Sequence, residues 1–193
     1  MKEIVEVIKD GGVVIMPTDT IYGIIADATN ECAIQRVYEM KKRNENKPML
    51  MLVNGIEMLE KYVSSINDIE RKLIDELWPG ALTIIFKKRN VSDLLTGGLD
   101  TVGIRFPDNE LLIDIMNELN VPLLSTSVNV SGDESATCIN NINNLILDSV
   151  DYVYDIGECK GEPSTIVVVD NNELKVLREG VIKSNEIFDI IKN

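Results

Sequence analysis

The sequence predicts an α/β sandwich built on a mixed sheet. Short apolar runs of strand length alternate with amphipathic segments of helical spacing along most of the chain. A length of 193 residues suits one hydrophobic core, and neither a repeat nor a linker divides the sequence. We therefore expect one domain over residues 1–193.

Helices are predicted where apolar residues recur every three or four positions. Asn30 is a suitable N-cap for the second helix, and Asn67 with Glu70 resembles a capping box that opens the third. Pro79-Gly80 stops that third helix. The predicted helices carry Ile4 to Ile8, Ala33 to Tyr38, Leu73 to Leu77, Asn109 to Leu119, Ile139 to Leu147 and Ser184 to Ile191.

Strands are predicted at short apolar runs that are bounded by turn residues. They cover Val13 to Met16, Met49 to Val53, Leu82 to Phe86, Thr101 to Arg105, Pro122 to Thr126, Tyr152 to Tyr154, Thr165 to Val169 and Leu174 to Leu177.

Composition and charge disfavour several classes of function. With 32 acidic and 19 basic residues, the formal net charge of −13 repels a polyanion, and only 5% of residues are aromatic. We therefore expect no direct, stable nucleic-acid binding. No apolar run approaches the roughly 20 residues that cross a bilayer, and the N-terminus has no secretory pattern. We expect a cytoplasmic protein with no membrane partner.

The inventory of reactive side chains is narrow. The three cysteines are odd in number and far apart, so they encode neither a disulfide framework nor a zinc cluster. There is no histidine, and acid or base chemistry must therefore use carboxylates, lysine, tyrosine or the substrates themselves.

Five polar clusters stand near the ends of predicted elements, where irregular backbone and exposed side chains usually build sites. They are Pro17 to Thr20 with Tyr22-Gly23; Lys41 to Arg43 with Lys47-Pro48; Thr101 with Arg105; Ser127, Asn129, Ser131-Gly132 and Thr137; and Ser164-Thr165 with Arg178 and Gly180.

The basic cluster has two interpretations. Lys41, Arg43 and Lys47 lie within seven residues between a helix end and a strand, so they can converge on a polyphosphate. Cations in the last turn of a helix also complement its dipole, which is a purely structural role. Neither G-x-x-x-x-G-K-[ST] nor G-x-G-x-x-G is present.

Two further clusters also have more than one interpretation. If the chain stays extended, Ser127, Asn129 and Ser131 face one side and offer polar groups to a ligand; otherwise they form an ordinary turn. Arg105 and Arg178 each close a predicted strand. Guanidiniums held there suit carboxylates or phosphates, or surface salt bridges with the many acids.

The order of these clusters resembles the YrdC family over nearly the whole chain, from Gly12 to about Ile182. The motifs that carry the resemblance are P-T-D-T-I-Y-G at 17–23, K-K-R-N-E-N-K-P at 41–48, W-P-G-A-L-T at 78–83, T-V-G-I-R-F-P at 101–107, S-V-N-V-S-G at 127–132, P-S-T-I-V at 163–167 and L-R-E-G at 177–180.

The resemblance implies an open, twisted sheet with flanking helices and a positively lined, concave ligand cavity. It also implies that L-threonine, bicarbonate or CO₂, and MgATP combine to threonylcarbamoyl-AMP and pyrophosphate. Mg²⁺ is then expected with ATP and not on protein ligands. Separate tRNA threonylcarbamoyl-transfer proteins, which modify adenosine in tRNA, are the expected downstream partners.

Carried over residue by residue, the resemblance assigns the site. The expected catalytic residues are Lys41 and Arg43. The expected threonine-binding residues are Thr20, Arg105, Ser127 and Ser164. The expected ATP-binding residues are Arg43, Lys47, Thr101, Asn129, Thr137 and Arg178.

Three positions depart from the family pattern. Asn44 replaces a proline after the arginine of the basic motif, Ala81 replaces the second proline of P-G-P-x-T, and Leu52 stands where many relatives place a histidine near the threonine. These departures leave open a YciO-like paralogue of different or weaker activity, and an RNA-binding module of the same fold is the other alternative. Because the chain ends soon after L-R-x-G, it resembles the short single-domain form.

Overall fold

Strands and helices alternate along the residues that the structure describes, 1–130, 136–159 and 161–192 of a computed structural model. The strands are β1 Val14–Pro17, β2 Tyr22–Asp27, β3 Leu50–Leu52, β4 Leu82–Lys87, β5 Thr101–Arg105, β6 Leu123–Ser127, β7 Tyr152–Val153, β8 Thr165–Asp170 and β9 Glu173–Arg178. The helices are α1 Lys2–Lys9, α2 Glu31–Met40, α3 Ile56–Tyr62, α4 Asp68–Leu77, α5 Asp93–Thr96, α6 Glu110–Leu119, α7 Asn144–Leu147 and α8 Ser184–Lys192, with a 3₁₀ turn at Ile139–Asn141.

The strands form one mixed sheet in the order β7-β1-β2-β6-β3-β5-β4-β8-β9. The pairs β1 with β7, β3 with β5 and β4 with β8 are parallel, and the other neighbouring pairs are antiparallel. Within the described ranges β7 and β9 are the two edges, so the sheet is open. The predicted α/β fold with an open mixed sheet and flanking helices is confirmed.

The hydrophobic core lies between the sheet and its helices. Strands β1 and β2 are buried along almost their whole length, and α1 buries one face with Ile4, Val5 and Ile8. Fully burying one such aliphatic side chain stabilises the fold by roughly 1.5–3 kcal/mol. None of the helices in the described part of the chain has both the length and the apolar character needed to cross a membrane.

The predicted helix caps are confirmed. The Asn30 side chain accepts a hydrogen bond from the Ala33 backbone N–H at 3.2 Å. At α4 the box is reciprocal, because Asn67 accepts from the Glu70 N–H at 2.9 Å while the Glu70 carboxylate accepts from the Asn67 N–H at 2.8 Å. These bonds satisfy N–H groups that have no partner inside the helix.

The helix predicted from Ile139 to Leu147 is wrong as a single element. The chain makes the 3₁₀ turn at Ile139–Asn141 and restarts as α7, because the Asn143 side chain caps the new helix by accepting from the Leu145 N–H at 2.9 Å. Asparagine competes well for backbone donors and so favours such restarts. Strand β2 and helices α3 and α5 were not among the predicted elements.

Candidate functional site

One cavity of about 220 Å³ lies where several loops and strand ends meet. Its walls come from the β1–β2 turn, the loop after α2, the ends of β5, β6 and β9, and the start of β8. The predicted site residues that line it are Thr20, Arg43, Arg105, Ser127, Ser164 and Arg178. Positions spread over about 160 residues of sequence therefore meet in one place, three of them guanidiniums.

Arg105 is the most deeply buried cation that lines this cavity, with 2% of its surface exposed. Its Nη1 lies 3.1 Å from the Asp19 carboxylate and donates to Thr20 Oγ1 at 3.3 Å. Burial lowers the pKa of Arg105, whereas Asp19 raises it and Arg178 lowers it further. Among the described residues, Arg105 Nε has no hydrogen-bond partner. A buried guanidinium with one carboxylate and a spare donor can bind a second anion.

Lys41 lies beneath the chain that follows β6 and does not line the cavity. Its ammonium donates to the carbonyl oxygen of Ser127, and to Asn129 through the carbonyl at 2.8 Å and Oδ1 at 2.9 Å. The pKa of Lys41 is lowered to about 7, mainly by burial and further by the positive charge of nearby Arg43. Lys41 therefore fixes the shape of this loop from below.

The extended alternation considered for Ser127, Asn129 and Ser131 is wrong for the first pair. Strand β6 ends at Ser127, and the Asn129 N–H folds back to donate to the Ser127 carbonyl at 3.1 Å. The Ser127 hydroxyl also donates to Asn129 Oδ1 at 2.6 Å. The turn interpretation describes this stretch, while Ser131-Gly132 lies outside the described residues.

Arg43 holds the loop that connects α2 to β3. Its Nε donates to the Lys47 carbonyl at 3.1 Å and its Nη2 donates to the Pro48 carbonyl at 2.9 Å. The Tyr38 hydroxyl reaches the same Lys47 carbonyl at 3.0 Å. Burial lowers the pKa of Arg43. The guanidinium thus fixes its own loop while one side of it lines the cavity.

Ser164 and Arg178 form a connected pair in the cavity wall. Arg178 donates to the Ser164 carbonyl through Nε at 3.1 Å and Nη2 at 2.8 Å, and Nη2 lies 3.3 Å from the Ser164 hydroxyl. On its other side the Ser164 hydroxyl lies 2.9 Å from Thr83 Oγ1. Thr83 was not predicted as a site residue, although the W-P-G-A-L-T motif that contains it was recognised.

Described residues between β7 and β8 contact Tyr22 and the backbone of Thr20. The Tyr22 hydroxyl lies 3.0 Å from the Asp155 carboxylate and 2.8 Å from the Gly157 carbonyl. A side chain at Gly161 would place its Cβ 1.6 Å from the Thr20 carbonyl oxygen, so only glycine allows this approach. The backbone contact keeps the β1–β2 turn against the cavity.

The remaining predicted residues are not brought to the cavity wall. Thr101 begins β5 at the end opposite Arg105 and lines a separate depression. The Lys47 side chain is exposed, and Thr137 is half-buried with its carbonyl accepting from the Cys159 N–H at 2.7 Å. Asn129 lies behind Ser127, bonded to Lys41. Their predicted roles in ATP binding stay predictions.

The three departures from the family pattern leave the cavity's charged groups in place. Leu52 is fully buried in β3 and does not line the cavity, and Ala81 accepts a backbone hydrogen bond from Thr165 at 3.0 Å. The Asn44 side chain accepts from the Asn46 N–H at 2.9 Å and so stabilises the turn at this position.

No cluster of three or more cysteine, aspartate or glutamate side chains that could hold a metal occurs in residues 1–130, 136–159 and 161–192. Asp19 is the carboxylate nearest Arg105, and its oxygens already contact Arg105 and the Asp108 N–H, the latter at 3.2 Å. The donor set therefore suits anions better than a directly coordinated divalent cation.

The chain is similar to known proteins in sequence and in fold. The Sua5/YciO/YrdC family model, described as telomere recombination, matches residues 6–180. A Methanocaldococcus jannaschii protein is 44% identical over 188 residues, covering 94% of this chain and 87% of that protein. A Pyrococcus abyssi protein named threonylcarbamoyl-AMP synthase is 31% identical over 186 residues, covering 95% of this chain and 55% of that protein.

A solved structure of the Pyrococcus abyssi protein Sua5, complexed with L-threonine, superposes with a TM-score of 0.93 at 30% identity. The match covers 98% of this chain and 56% of that one, so this chain spans little more than half of that relative. The family match covers far more than half of the chain and the fold agrees over nearly all of it. The chain belongs to the Sua5/YciO/YrdC family.

Proposed function

We propose that this protein is an L-threonylcarbamoyladenylate synthase. It joins L-threonine, bicarbonate or CO₂, and ATP into threonylcarbamoyl-AMP and releases pyrophosphate, which supplies the group for threonylcarbamoyladenosine (t⁶A) in tRNA. The observation that carries the proposal is the convergence of Arg43, Arg105 and Arg178 on one cavity in a protein of net charge −13. The name of the Pyrococcus abyssi relative and its complex with L-threonine support it.

Each part of the cavity has a role in this chemistry. Arg105, Thr20 and Ser164 hold the amino acid, and Arg43 and Arg178 neutralise charge on the phosphates of ATP. The neutral amine of threonine attacks the carbon of CO₂ and releases a proton, or attacks bicarbonate with loss of water. An oxygen of the resulting carbamate then attacks the α-phosphorus. Pyrophosphate then leaves.

The protein's contribution is alignment and charge neutralisation. Two anions must be held together in line with the leaving group, and preorganised cations do this without a protein nucleophile. A chain without histidine can therefore carry the reaction. Lys41 does not line the cavity and acts indirectly, by holding the Ser127–Asn129 turn.

The size of the cavity divides the substrates between its inside and its mouth. A volume of about 220 Å³ is below the roughly 300–1,000 Å³ of pockets that enclose larger ligands. Threonine fits inside it, while ATP extends along the loop of Arg43 and the exposed Lys47. Mg²⁺ enters with ATP, bound through the phosphates.

We place the protein in the cytoplasm, where tRNA and the transfer proteins are.

Pyrophosphate release with one component omitted at a time tests the proposal. The carbamate that attacks phosphorus exists only when threonine and bicarbonate are both present. Release should therefore fall to background when either is left out, with bicarbonate removed by degassing. Equal release without threonine would contradict the assignment and would point to a paralogue with a different substrate.

A further inference from the structure

Thr83 is a fully buried hydroxyl residue in β4, directly behind the cavity wall. Its Oγ1 lies 2.9 Å from the Ser164 hydroxyl, and this is its one hydrogen-bond partner among the described residues. Its methyl carbon Cγ2 lies next to Gly103 of β5, where an added Cβ would make an ordinary contact at 3.4 Å. The hydroxyl is therefore held against Ser164 by packing.

The direction of the hydrogen bonds follows from which groups can donate. Arg178 Nη2 lies 3.3 Å from the Ser164 hydroxyl and can only donate to it. If Ser164 donated to Thr83, the Thr83 proton would be left without an acceptor in a place that water does not reach, which is costly. Thr83 therefore donates to Ser164, and both lone pairs of Ser164 are occupied.

We propose that Thr83 is a positioning residue that makes the Ser164 hydroxyl a hydrogen-bond donor toward the cavity, where it binds the carboxylate of the amino-acid substrate. This inference rests on the proposed function and adds the orientation of the amino acid. With its lone pairs occupied by Thr83 and Arg178, Ser164 has only its proton left to offer. Such a hydroxyl accepts nothing from an ammonium group and selects an oxygen acceptor.

The charges around Ser164 favour a carboxylate as that acceptor. Arg178 is bonded to Ser164, and Arg105 is close enough to Arg178 for the two charges to interact. The carboxylate of Asp19 pairs with Arg105 and supplies one negative charge beside the two positive charges of Arg105 and Arg178. The amino acid therefore lies with its carboxylate toward Ser164 and Arg105 and its amine directed away from them.

Three variants test this positioning role through threonine binding and steady-state kinetics. Thr83→Val keeps the volume and removes the hydroxyl, Thr83→Ser keeps the hydroxyl, and Ser164→Ala removes the group through which Thr83 acts. For Thr83→Val we expect the KM and the Kd for threonine to rise roughly tenfold, about the worth of one hydrogen bond. The KM for ATP and the kcat at saturating threonine should stay near wild type. Thr83→Ser should restore threonine binding.

A double-mutant cycle separates this role from a purely structural one. If Thr83 acts through Ser164, Thr83→Val should weaken threonine binding no further in the Ser164→Ala background. Additive losses, or a Thr83→Val protein with wild-type Kd for threonine, would overturn the inference while leaving the proposed function standing. A wild-type protein that binds no threonine, by calorimetry or by turnover, would overturn both.

Discussion

Arg43 is the residue at which the loop after α2 and the cavity meet. Its guanidinium donates to the Lys47 and Pro48 carbonyls, and it also lines the cavity. A planar guanidinium can make these bonds and still present donors to a phosphate, whereas an ammonium is a compact point charge. The geometry therefore makes Arg43→Lys a non-conservative change.

We expect Arg43→Lys to lower turnover strongly and Arg43→Ala to lose about 2–4 kcal/mol of transition-state stabilisation, as for one preorganised donor. Because Arg43 also bonds two loop carbonyls, the alanine variant should lose about 1 kcal/mol of folding stability as well. Turnover and thermal midpoint are measured on the same variants. Lys42→Gln changes an exposed neighbouring cation and is the matched control. Normal turnover with a lowered midpoint would remove Arg43 from the site.

Lys41 shows what spacing in a sequence cannot reveal. The spacing of three cations within seven residues fits either a phosphate-binding cluster or a structural role, and it does not show that Lys41 is buried under a turn that lies 86 and 88 residues further along the chain. Only the tertiary pairing of β6 brings that turn to the end of α2. Arg105, Ser164 and Arg178 were predicted as site residues, and their convergence on one cavity likewise depends on strand order.

Burial of Lys41 has a pH signature. Its pKa of about 7 in the folded protein lies below the ordinary 10.5, so between those values the unfolded chain binds more protons. The free energy of unfolding should therefore rise with pH in that window, by about 2 kcal/mol between pH 7 and pH 9 from this one group. Lys41→Met should lack this increment, and Lys42→Met should keep it. Denaturant unfolding of the three proteins at both pH values is the measurement, and identical pH profiles for all three would contradict the burial of Lys41.

At the level of elements, local signals in the sequence were reliable and context-dependent ones were not. The caps at Asn30 and Asn67 depend on neighbouring residues alone, and both are present. Strand β2 was obscured because its first residues, Tyr22-Gly23, were assigned to a polar ligand cluster. In the structure Tyr22 and Gly23 belong to β2 and also line the cavity.

The end of β9 is packed tightly against the start of β8. A Cβ at Gly180 would lie 2.0 Å from the Pro163 carbonyl oxygen, and the Gly180 N–H donates to Thr165 Oγ1 at 2.9 Å. Gly180→Ala should therefore displace the chain around Ser164 and lower the free energy of unfolding by roughly 1–3 kcal/mol, the usual cost of overpacking.

The displaced Ser164 should also weaken threonine binding in Gly180→Ala. Chemical unfolding and calorimetric titration with threonine measure the two effects. A Gly180→Ala protein with wild-type stability and threonine affinity would show that this contact does not shape the site.

Charge is unevenly distributed over the whole molecule. The chain carries 32 acidic against 19 basic residues, yet three arginines line one cavity with Asp19 as the carboxylate that pairs with Arg105. Small anions can enter such a cavity, whereas a long polyanion is repelled by the net charge of −13.

We therefore expect little binding of duplex RNA at physiological salt. Fluorescence anisotropy with a labelled duplex should show at most weak binding at low salt, and ATP should displace it because both would use the cavity arginines. A tight, steeply salt-dependent complex that ATP does not displace would favour the alternative of an RNA-binding module.

In the proposed reaction the carbamate of threonine, which contains the carbon of bicarbonate, is joined to AMP. Incubating the protein with L-threonine, ATP and isotopically labelled bicarbonate, followed by mass spectrometry of the nucleotide fraction, tests it most directly. We expect an AMP adduct whose mass includes threonine and one labelled carbon, formed together with pyrophosphate. Pyrophosphate release with only unmodified AMP, or an adduct that carries no label, would contradict it.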